Sequence, residues 1–375
     1  MTTGFWWDER CFWHTGGNYT FLLPVGGLVQ PLASGGLPES PETKRRLKNL
    51  LEATGLIGEL AVSSAPPASD DDLLRVHPAD YLERFREMSA AGGGELGERT
   101  PFGPGGYDIA ALSAGLAKEA VLAVLDGRQT NAYALSRPPG HHCTRDTPMG
   151  FCLLANIAIA VEAALGAGKA KRVAVVDWDV HHGNGTEAIF YDRPDVLTIS
   201  LHQDRNYPLN SGGADDRGEG GGEGFNVNVP LAPGAGHEAY LHAMERIVLP
   251  ALDAYRPDIV IVACGYDASG VDPLSRMLAS SKTFARMAQM VKERAEALCG
   301  GRLVLVHEGG YSEAHVPFCG HAVLEVLSGS AIHAEDPLTR RLDGQQPSER
   351  LNAVYRGMID EMAGAIDFRR FAADA

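Results

Sequence analysis

Hydrophobic positions in the second part of the chain follow two alternating patterns. Short, continuous apolar runs rich in β-branched residues, typical of buried parallel strands, alternate with longer stretches whose apolar residues share one helical face. The predicted strands are Tyr133–Ser136, Arg172–Asp177, Val196–His202, Phe225–Val229, Asp258–Cys264 and Leu303–Val306. The predicted helices are Phe151–Leu165, Thr186–Tyr191, Glu238–Tyr255, Phe284–Cys299, Val316–Leu327 and Glu349–Ile366. This alternation predicts an α/β fold with one open, doubly wound parallel sheet flanked by helices.

The first third of the chain is less regular. Residues 4–36, rich in Trp and Gly, predict one short strand followed by a long loop. Helices are predicted at Pro41–Thr54, Pro78–Met88 and Asp108–Leu125, and Ala90–Gly106 is a long loop of the kind that is often functional. We see no repeat or linker, so we expect a single domain over residues 1–375, with 1–40 as an N-terminal segment and 328–375 as a C-terminal helical segment.

The composition, 45% hydrophobic and 22% charged, is that of a globular protein. The sequence contains no run of 18 uncharged apolar residues that would predict a transmembrane helix, and its N-terminus lacks the basic and apolar regions of a secretory signal. Six scattered cysteines in a chain of 375 residues favour a reduced, cytoplasmic protein. The net charge of −15 argues against general nucleic-acid binding and is compatible with a cationic substrate.

Polar or glycine-rich residues follow the central predicted strands. The clusters are Pro138–His142, Asp177–His181, His202, Gly265–Asp267 and Glu308–Tyr311. Because binding sites in parallel α/β sheets lie beyond the carboxyl ends of the strands, we expect these clusters to lie close together.

Asp179, His181 and Asp267 form a candidate metal site. Residues two apart in an extended segment point to the same side, so Asp179 and His181 could bind one ion. With Asp267 they would supply one nitrogen and two oxygens and leave a position open for water, the pattern of a catalytic zinc site. A lone Asp-x-His pair is also compatible with a strand end that carries solvated charges, and Asp267 alone could cap a helix, so the prediction depends on all three residues together.

Two histidines and a tyrosine are candidates for the remaining chemistry. His141 and His142 could carry protons, because an imidazole titrates near neutral pH. Asp177 could raise the basicity of one of them, while Asn184 could orient the other without adding charge. Tyr311 could donate its hydroxyl to a developing oxyanion. Each residue alone is compatible with a structural role; the set predicts metal-assisted hydrolysis of an unreactive carbonyl.

Five motifs resemble those of the zinc-dependent histone deacetylase family. They are Arg137–His142 (RPPGHH), Met149–Cys152 (MGFC), Asp177–Thr186 (DWDVHHGNGT), Gly265–Ala268 (GYDA) and Glu308–Tyr311 (EGGY). The resemblance extends from about Pro41 to Leu327. Asn184 and Trp178 resemble the class II branch, and the chain is similar to the bacterial histone deacetylase-like amidohydrolases, which also resemble acetylpolyamine amidohydrolases.

The resemblance implies an arginase-like fold, the removal of acyl groups from amines, and roles for most of these residues. The three candidate ligands would hold Zn²⁺, the histidine pair would transfer protons with His142 as general base, and Tyr311 would polarise the acyl carbonyl. The implied contacts of an acyl-lysine-like substrate are Gly150, Phe151, Tyr207 and Gly309, with Glu98 at the rim. Structural K⁺ or Na⁺ ions are also implied. One site matches Asp177, Ser200 and the carbonyls of Asp179, His181 and Leu201, and a second matches Phe190, Arg193, Val196 and Phe225.

The sequence leaves the substrate open. Tyr207 stands where much of the family has phenylalanine, and its hydroxyl could favour a different acyl group or amine. An acylated lysine, an acetylpolyamine and another small amide are all compatible with the motifs. A weakly catalytic acyl-lysine-binding protein and an arginase-like ureohydrolase with two metal ions are alternatives from other classes. The N-terminal 40 residues could shape the channel mouth or form a contact in a homo-oligomer.

Overall fold

A parallel sheet forms the centre of the protein. The computed structural model describes residues 2–17, 19–24 and 36–372, and within them this sheet has eight strands. In spatial order the strands are Asn226–Leu231, Val196–Gln203, Val173–Asp177, Ile259–Cys264, Leu303–His307, Asn131–Ala134, Gly4–Trp6 and Ala61–Ser63. Every neighbouring pair is parallel. The predicted open, doubly wound parallel sheet is therefore confirmed.

Helices connect the strands and flank the sheet. The α-helices are Pro41–Thr54, Asp70–Leu74, Ala79–Ala90, Gly106–Leu125, Asn156–Gly166, Asn184–Phe190, His237–Ala243, Leu249–Tyr255, Ser281–Cys299, Val316–Ser328, Thr339–Gly344 and Glu349–Gly364. Shorter 3₁₀ turns are Glu9–Trp13, Leu56–Glu59, Gly220–Gly222 and Phe368–Ala372. The central strands Val173–Asp177, Ile259–Cys264 and Leu303–His307 are buried along their whole length. Their continuous apolar sequences are thus explained by a position between two helical layers.

The predicted helix Phe151–Leu165 is wrong at its start, because the helix begins only at Asn156. Phe151 has a φ of 70°, outside the helical region. The backbone N–H groups of Gly150 and Phe151 donate instead to the carbonyls of Glu98 and Arg99, at 3.0 and 2.9 Å. A contact with a distant loop therefore overrides the local helical pattern, and it holds the loop of residues 90–106 against the sheet edge.

Two other predictions need correction. The predicted helix Glu238–Tyr255 contains a π-helical turn, Met244–Val248, just before Pro250, which has no N–H to donate to the preceding turn. The loop Ala90–Gly106 contains a small hairpin, Gly94–Glu95 paired with Pro101–Phe102.

The N-terminal segment joins the central sheet through Gly4–Trp6, which pairs with strands on both sides. It then forms a hairpin, Tyr19–Thr20 with Leu23–Pro24. Residues 25–35 of the predicted opening loop lie outside the described residues. Among the helices that the structure describes, none is long and apolar enough to cross a membrane. All six cysteines are buried and free.

Candidate active site

The loops that carry the predicted polar residues converge at one edge of the sheet. From Val173–Asp177 the chain proceeds outward through Val196–Gln203 to Asn226–Leu231, and then returns to place Ile259–Cys264 on the other side of Val173–Asp177. The reversal in strand order separates the loops that follow these two neighbouring strands. A crevice beyond the carboxyl ends at such a reversal is the usual binding site in an open α/β sheet.

The three candidate metal ligands meet in this crevice. Side-chain donor atoms of Asp179, His181 and Asp267 lie within 4.8 Å of one another, and all three residues are buried. His181 Nδ1 is 3.1 Å from both Asp179 Oδ1 and Asp267 Oδ2. Backbone N–H groups fix the carboxylates: Val180 donates to Asp267 Oδ1 at 2.7 Å and Gly309 donates to Asp179 Oδ2 at 2.8 Å. One imidazole and two carboxylates therefore face a common point.

The surroundings of this group fit a divalent metal ion. Burial and the charge of Asp179 raise the pKa of Asp267 to about 6, so a bound cation would be stabilised by two closely spaced carboxylates. Gly265 and Gly309 keep the space around the carboxylates open. A Cβ at Gly265 would lie 2.1 Å from Asp179 Oδ2, and a Cβ at Gly309 would lie 2.2 Å from Asp267 Oδ2. The two glycines thus allow the backbone to approach the ligands closely.

The two histidines beside this group have different partners. His141 Nδ1 is 2.9 Å from Asp177 Oδ2, and His142 Nδ1 is 2.8 Å from Asn184 Oδ1. The Asn184 amide nitrogen faces the carbonyl of His142 and Met149 Sδ, which directs its oxygen to the ring. His142 therefore donates from Nδ1, and its Nε2 is left as a base.

The electrostatic environment gives the two histidines different pKa values. Although burial opposes the charged form of His141, the carboxylates of Asp179 and Asp177 raise its pKa to about 10. Burial and the positive charges of His141 and His181 lower the pKa of His142 below its usual value. The ring centroids are 4.0 Å apart, so one protonated and one neutral imidazole lie side by side.

Tyr311 lies in a cleft that leads to the candidate metal ligand His181. The lining residues are Leu22, Arg99, His142, Gly150, Phe151, His181, Asn206, Tyr207, Leu274 and Tyr311. Burial and the charges of Asp267 and Asp179 raise the pKa of Tyr311 well above its usual value, so its phenol keeps a proton to donate. Of the predicted substrate contacts, the structure thus places Gly150, Phe151 and Tyr207 in the cleft and Gly309 beside the metal ligands.

A match to known proteins identifies the family. The histone deacetylase domain family matches residues 37–327. The chain belongs to the histone deacetylase family. It is 59% identical over 361 residues to the histone deacetylase-like amidohydrolase of Pseudomonas aeruginosa, which covers 96% of this chain and 95% of that protein. It is 38% identical over 303 residues to a probable deacetylase of Archaeoglobus fulgidus, which covers 79% of this chain and 84% of that protein.

The fold and class of activity follow the same family. The crystal structure of the HDA15 HD domain matches with a TM-score of 0.80 at 32% identity, over 97% of this chain and 99% of that chain. The deacetylase-like fold is thus confirmed. The prediction of a hydrolytic enzyme of the deacetylase and amidohydrolase kind is confirmed as well.

Glu98 lies beside the cleft, between the lining residue Arg99 and its hydrogen-bond partner Gly150. Its carbonyl accepts from Gly150, as described above, while its carboxylate is 3.8 Å from the guanidinium of Arg99. The Arg99 guanidinium in turn lies 5.3 Å from the centroid of the Tyr207 ring. The predicted grip of Glu98 on the substrate backbone stays a prediction.

Of the residues matched to monovalent-cation sites, Asp177 of the first set adjoins the candidate active site through His141, and cation binding at either set stays a prediction. In the first set, Asp177 and Ser200 are neighbours across two adjacent strands, and Ser200 Oγ bonds to His202 Nδ1 at 2.9 Å. In the second set, the carbonyls of Phe190 and Phe225 each accept a backbone hydrogen bond, at 3.0 Å. The guanidinium of Arg193 pairs with Glu162 and Asp195.

Several buried residues that support the site were missed. Glu308 Oε2 accepts the N–H groups of Gly140 and His141 at 2.7 and 3.1 Å, and so positions the loop of the histidine pair. Asp272 Oδ2 accepts the N–H of Tyr311 at 2.7 Å. The sequence contained a signal for Glu308, which begins the EGGY motif, whereas Asp272 had none beyond its place after Asp267.

Leu22, Arg99, Asn206 and Leu274 in the cleft lining were also missed. They belong to four separate loops that only the folded chain brings together. Leu22 comes from the N-terminal hairpin, so the first 40 residues contribute to the cleft lining, while their predicted role at a channel mouth or an oligomer contact stays a prediction.

Proposed function

We propose that this protein is a zinc-dependent deacylase that hydrolyses an acyl amide, normally an acetyl amide, on a lysine-like primary amine. The products are a carboxylate and the free amine. The observation that carries the proposal is the buried group of Asp179, His181 and Asp267, which faces a polarised histidine pair and opens into the same cleft as Tyr311.

The ligand set supports Zn²⁺ as the metal. Three protein ligands with a position left for water are typical of catalytic zinc sites, and nitrogen and carboxylate oxygen are both ligands that zinc accepts. When bound, Zn²⁺ would supply Lewis acidity toward the acyl carbonyl and toward the attacking water. K⁺ or Na⁺ at the two predicted sets of residues would be structural; in the first set, Asp177 and Ser200 are paired on adjacent strands of the sheet.

The side chains around the cleft would transfer the protons and stabilise the charge on the acyl oxygen. His142 Nε2 takes a proton from the attacking water, because its Nδ1 is committed to Asn184. The phenol of Tyr311 donates to the acyl oxygen as negative charge develops there. His141 stays protonated beside Asp177 and keeps the pair cationic once His142 has gained its proton. The imidazolium of His142 then protonates the nitrogen of the departing amine as the C–N bond breaks.

The cleft supports a substrate with a narrow, neutral stem. Phe151 and Tyr207 present aromatic faces, and the first is buried to 7% exposure. Arg99 at the mouth places a positive charge near the distal part of a substrate, which favours a peptide-borne acyl-lysine over a polycationic acetylpolyamine. An acetylpolyamine or other small amide is the second candidate substrate, and the acidic Glu98 next to Arg99 is the feature that favours it.

The alternatives from other classes have less support. A purely acyl-lysine-binding protein would have no need for Tyr311, which lies in the cleft with its proton retained. A ureohydrolase would need a second metal with more carboxylate ligands. Among the described residues, the other group with suitable donors is His141, Cys152 and Glu308, which contains a single carboxylate.

The test is turnover by the zinc-loaded protein of three amides: an acetyl-lysine peptide, an acetylpolyamine and a lysine peptide with a longer acyl chain. Preference for the acetyl-lysine peptide would support the proposal. Preference for the acetylpolyamine would change the proposed substrate to a small amine and would leave the proposed hydrolysis unchanged. If the protein bound zinc but turned over none of the three, the proposed function would be wrong.

A further inference from the structure

A line of three buried polar side chains lies behind the active-site loops. Ser269 Oγ is 2.6 Å from His315 Nδ1, and His315 Nε2 is 2.9 Å from Asp336 Oδ2. The exposed fractions of Ser269, His315 and Asp336 are 1%, 0% and 8%. A hydrogen-bonded set this deeply buried is held in one arrangement, because any broken link would leave an unpaired polar group inside the protein.

The hydrogen bonds in this line run in one direction. The N–H of Val271 donates to Ser269 Oγ at 3.3 Å, so the serine hydroxyl is free to donate to His315 Nδ1. His315 Nε2–H then donates to the carboxylate of Asp336. That carboxylate also accepts from Ser281 Oγ at 2.6 Å. Although burial opposes it, these hydrogen bonds from His315 and Ser281 lower the pKa of Asp336 to about 2, so it is an anionic acceptor at neutral pH.

The same three residue types make up the triad of serine hydrolases, but here the geometry excludes that chemistry. In a catalytic triad the serine bonds to Nε2 and the acid to Nδ1, whereas in this line the two nitrogens are exchanged. Ser269 is also buried too deeply for a substrate to reach its hydroxyl. The line is therefore a support.

Ser269 and His315, the two inner members of the line, lie close in sequence to residues of the proposed site. Ser269 follows the metal-ligand candidate Asp267 by two residues, and His315 follows Tyr311 by four. His315 precedes the helix Val316–Ser328, and the N–H of Val316 bonds to the carbonyl of Ser312 at 3.0 Å. The line thus joins the loop that carries Asp267 to the turn that carries Tyr311.

Its outer member comes from a different part of the chain. Asp336 lies beyond residue 327, where the match to the histone deacetylase domain ends. Its Oδ1 accepts from the N–H of Leu338 at 2.8 Å, which anchors it within the C-terminal segment. A residue outside the matched domain thus completes the hydrogen bonding of a histidine inside it.

We propose that Asp336 is a positioning residue for the metal centre: acting through His315 and Ser269, it fixes the Asp267 loop relative to Tyr311. The C-terminal segment is then part of the active-site framework. This inference rests on the proposed zinc-dependent function. Groups hydrogen-bonded directly to metal ligands are worth roughly 10- to 100-fold in metal affinity or activity, and Asp336, which acts through two other residues, should have an effect at the lower end of that range.

The experiment compares zinc-loaded Asp336→Asn with wild type in two assays: the rate of zinc loss to a chelator, followed with a zinc indicator, and kcat and KM on the preferred amide. We expect zinc loss to be roughly tenfold faster and kcat roughly tenfold lower, with KM within about twofold, since the channel is unchanged.

Two control variants isolate the line. Asp343→Asn removes an exposed ion pair to Lys282, which joins the same C-terminal segment to the helix that starts at Ser281. Ile359→Ala destabilises that segment from within its buried face without contacting the line. Both controls should lose zinc at the wild-type rate, even where Ile359→Ala unfolds at a lower temperature.

A double-mutant comparison tests the route. The side chains of Ser269 and Asp336 are linked through His315, and Asp336 also bonds to Ser281. If the effect passes through His315, Ser269→Ala combined with Asp336→Asn should be no worse than the more damaging single change. The Ser269→Ala variant also keeps the test open if Asp336→Asn fails to fold.

Three results would overturn the proposal. One is that Asp336→Asn and Ser269→Ala each lose zinc as slowly as wild type and keep the wild-type kcat. Another is zinc loss that follows thermal stability across all variants, Ile359→Ala included. The third is full additivity of the two changes. A wild-type protein that binds no zinc would instead overturn the proposed function, and the inference with it.

Discussion

Replacement of Glu39 by glutamine should expose the cost of a buried ion pair next to the active site. Glu39 Oε1 accepts from Arg137 Nε at 2.9 Å, Arg137 Nη2 lies 2.9 Å from Glu39 Oε2, and Lys44 Nζ is 3.4 Å from Oε1. The three side chains are at most 1% exposed. Arg137 also donates to the carbonyls of Cys11 and His14, so the ion pair connects the N-terminal segment to the loop that leads to His141 and His142.

Two independent arguments give a similar value for the free energy of unfolding that Glu39→Gln should remove. Removing one partner of a buried ion pair typically costs about 3–5 kcal/mol, because the other charge is left without compensation. Here Glu39→Gln would leave the buried charges of both Arg137 and Lys44 without their compensating carboxylate. Independently, burial alone would raise the pKa of Glu39, but the charges of Arg137 and Lys44 lower it from 4.5 to about 2. At about 1.4 kcal/mol for each unit of pKa, ionised Glu39 contributes about 3 kcal/mol to folding.

The assay is the free energy of unfolding in urea, measured for wild type and Glu39→Gln from pH 7 down to the lowest pH at which unfolding is reversible. Because the pKa of Glu39 is lower in the folded state, its contribution is complete above about pH 4.5 and is lost as the pH falls toward 2. We expect a gap of about 3 kcal/mol between the two proteins at pH 7 that narrows below pH 4.5.

A surface carboxylate provides the control. Glu42, on the helix Pro41–Thr54, forms exposed ion pairs with Arg45 and Arg46, and Glu42→Gln should cost no more than about 1 kcal/mol. The reasoning would be refuted if Glu39→Gln cost as little as Glu42→Gln, or if the gap stayed constant across the acidic range.

Three further predictions concern the chemistry. Tyr311→Phe should lower kcat by roughly 10²–10³ with unchanged circular dichroism, the usual effect of removing one oxyanion donor, and wild-type turnover would disprove the role. Asp267→Ala should abolish stoichiometric zinc, measured by atomic emission after dialysis; one retained zinc per chain would contradict the ligand assignment. Arg99→Ala should raise kcat/KM for an acetylpolyamine relative to an acetyl-lysine peptide by about fivefold, the effect of removing about 1 kcal/mol of repulsion. Glu98→Gln should change this ratio in the opposite direction. An unchanged ratio in both variants would show that charge at the mouth does not determine the choice of substrate.

The parts of the molecule that the sequence predicted well depend on local patterns. Buried strands such as Ile259–Cys264 have continuous apolar sequences, and the two-residue spacing of Asp179 and His181 puts both on one side of an extended segment. Because parallel strands end at one edge, residues from separate loops, such as Asp179 and Asp267, could be placed together from topology alone.

The parts that it did not predict depend on long-range contacts. Glu39 and Arg137 are 98 positions apart, and neither lies in a periodic pattern that would mark it as buried. The start of the helix after Phe151 was misplaced for the same reason, since the competing partners of its N–H groups are in the loop at Glu98 and Arg99. Local propensity is a weak guide wherever a distant carbonyl accepts the hydrogen bond.

The histidine pair illustrates how the fold gives different chemistry to identical neighbours. His141 and His142 are adjacent and equally buried, so nothing within the pair distinguishes an acid from a base. The difference comes from the residues that reach each Nδ1: Asp177 ends a strand and Asn184 begins the helix that follows the same metal-ligand loop. A carboxylate at the first position keeps His141 protonated, and a neutral amide at the second leaves His142 free to accept a proton. The loop Asp177–Asn184 therefore carries two of the three metal-ligand candidates and also supplies the partners that distinguish the proposed base, His142, from His141.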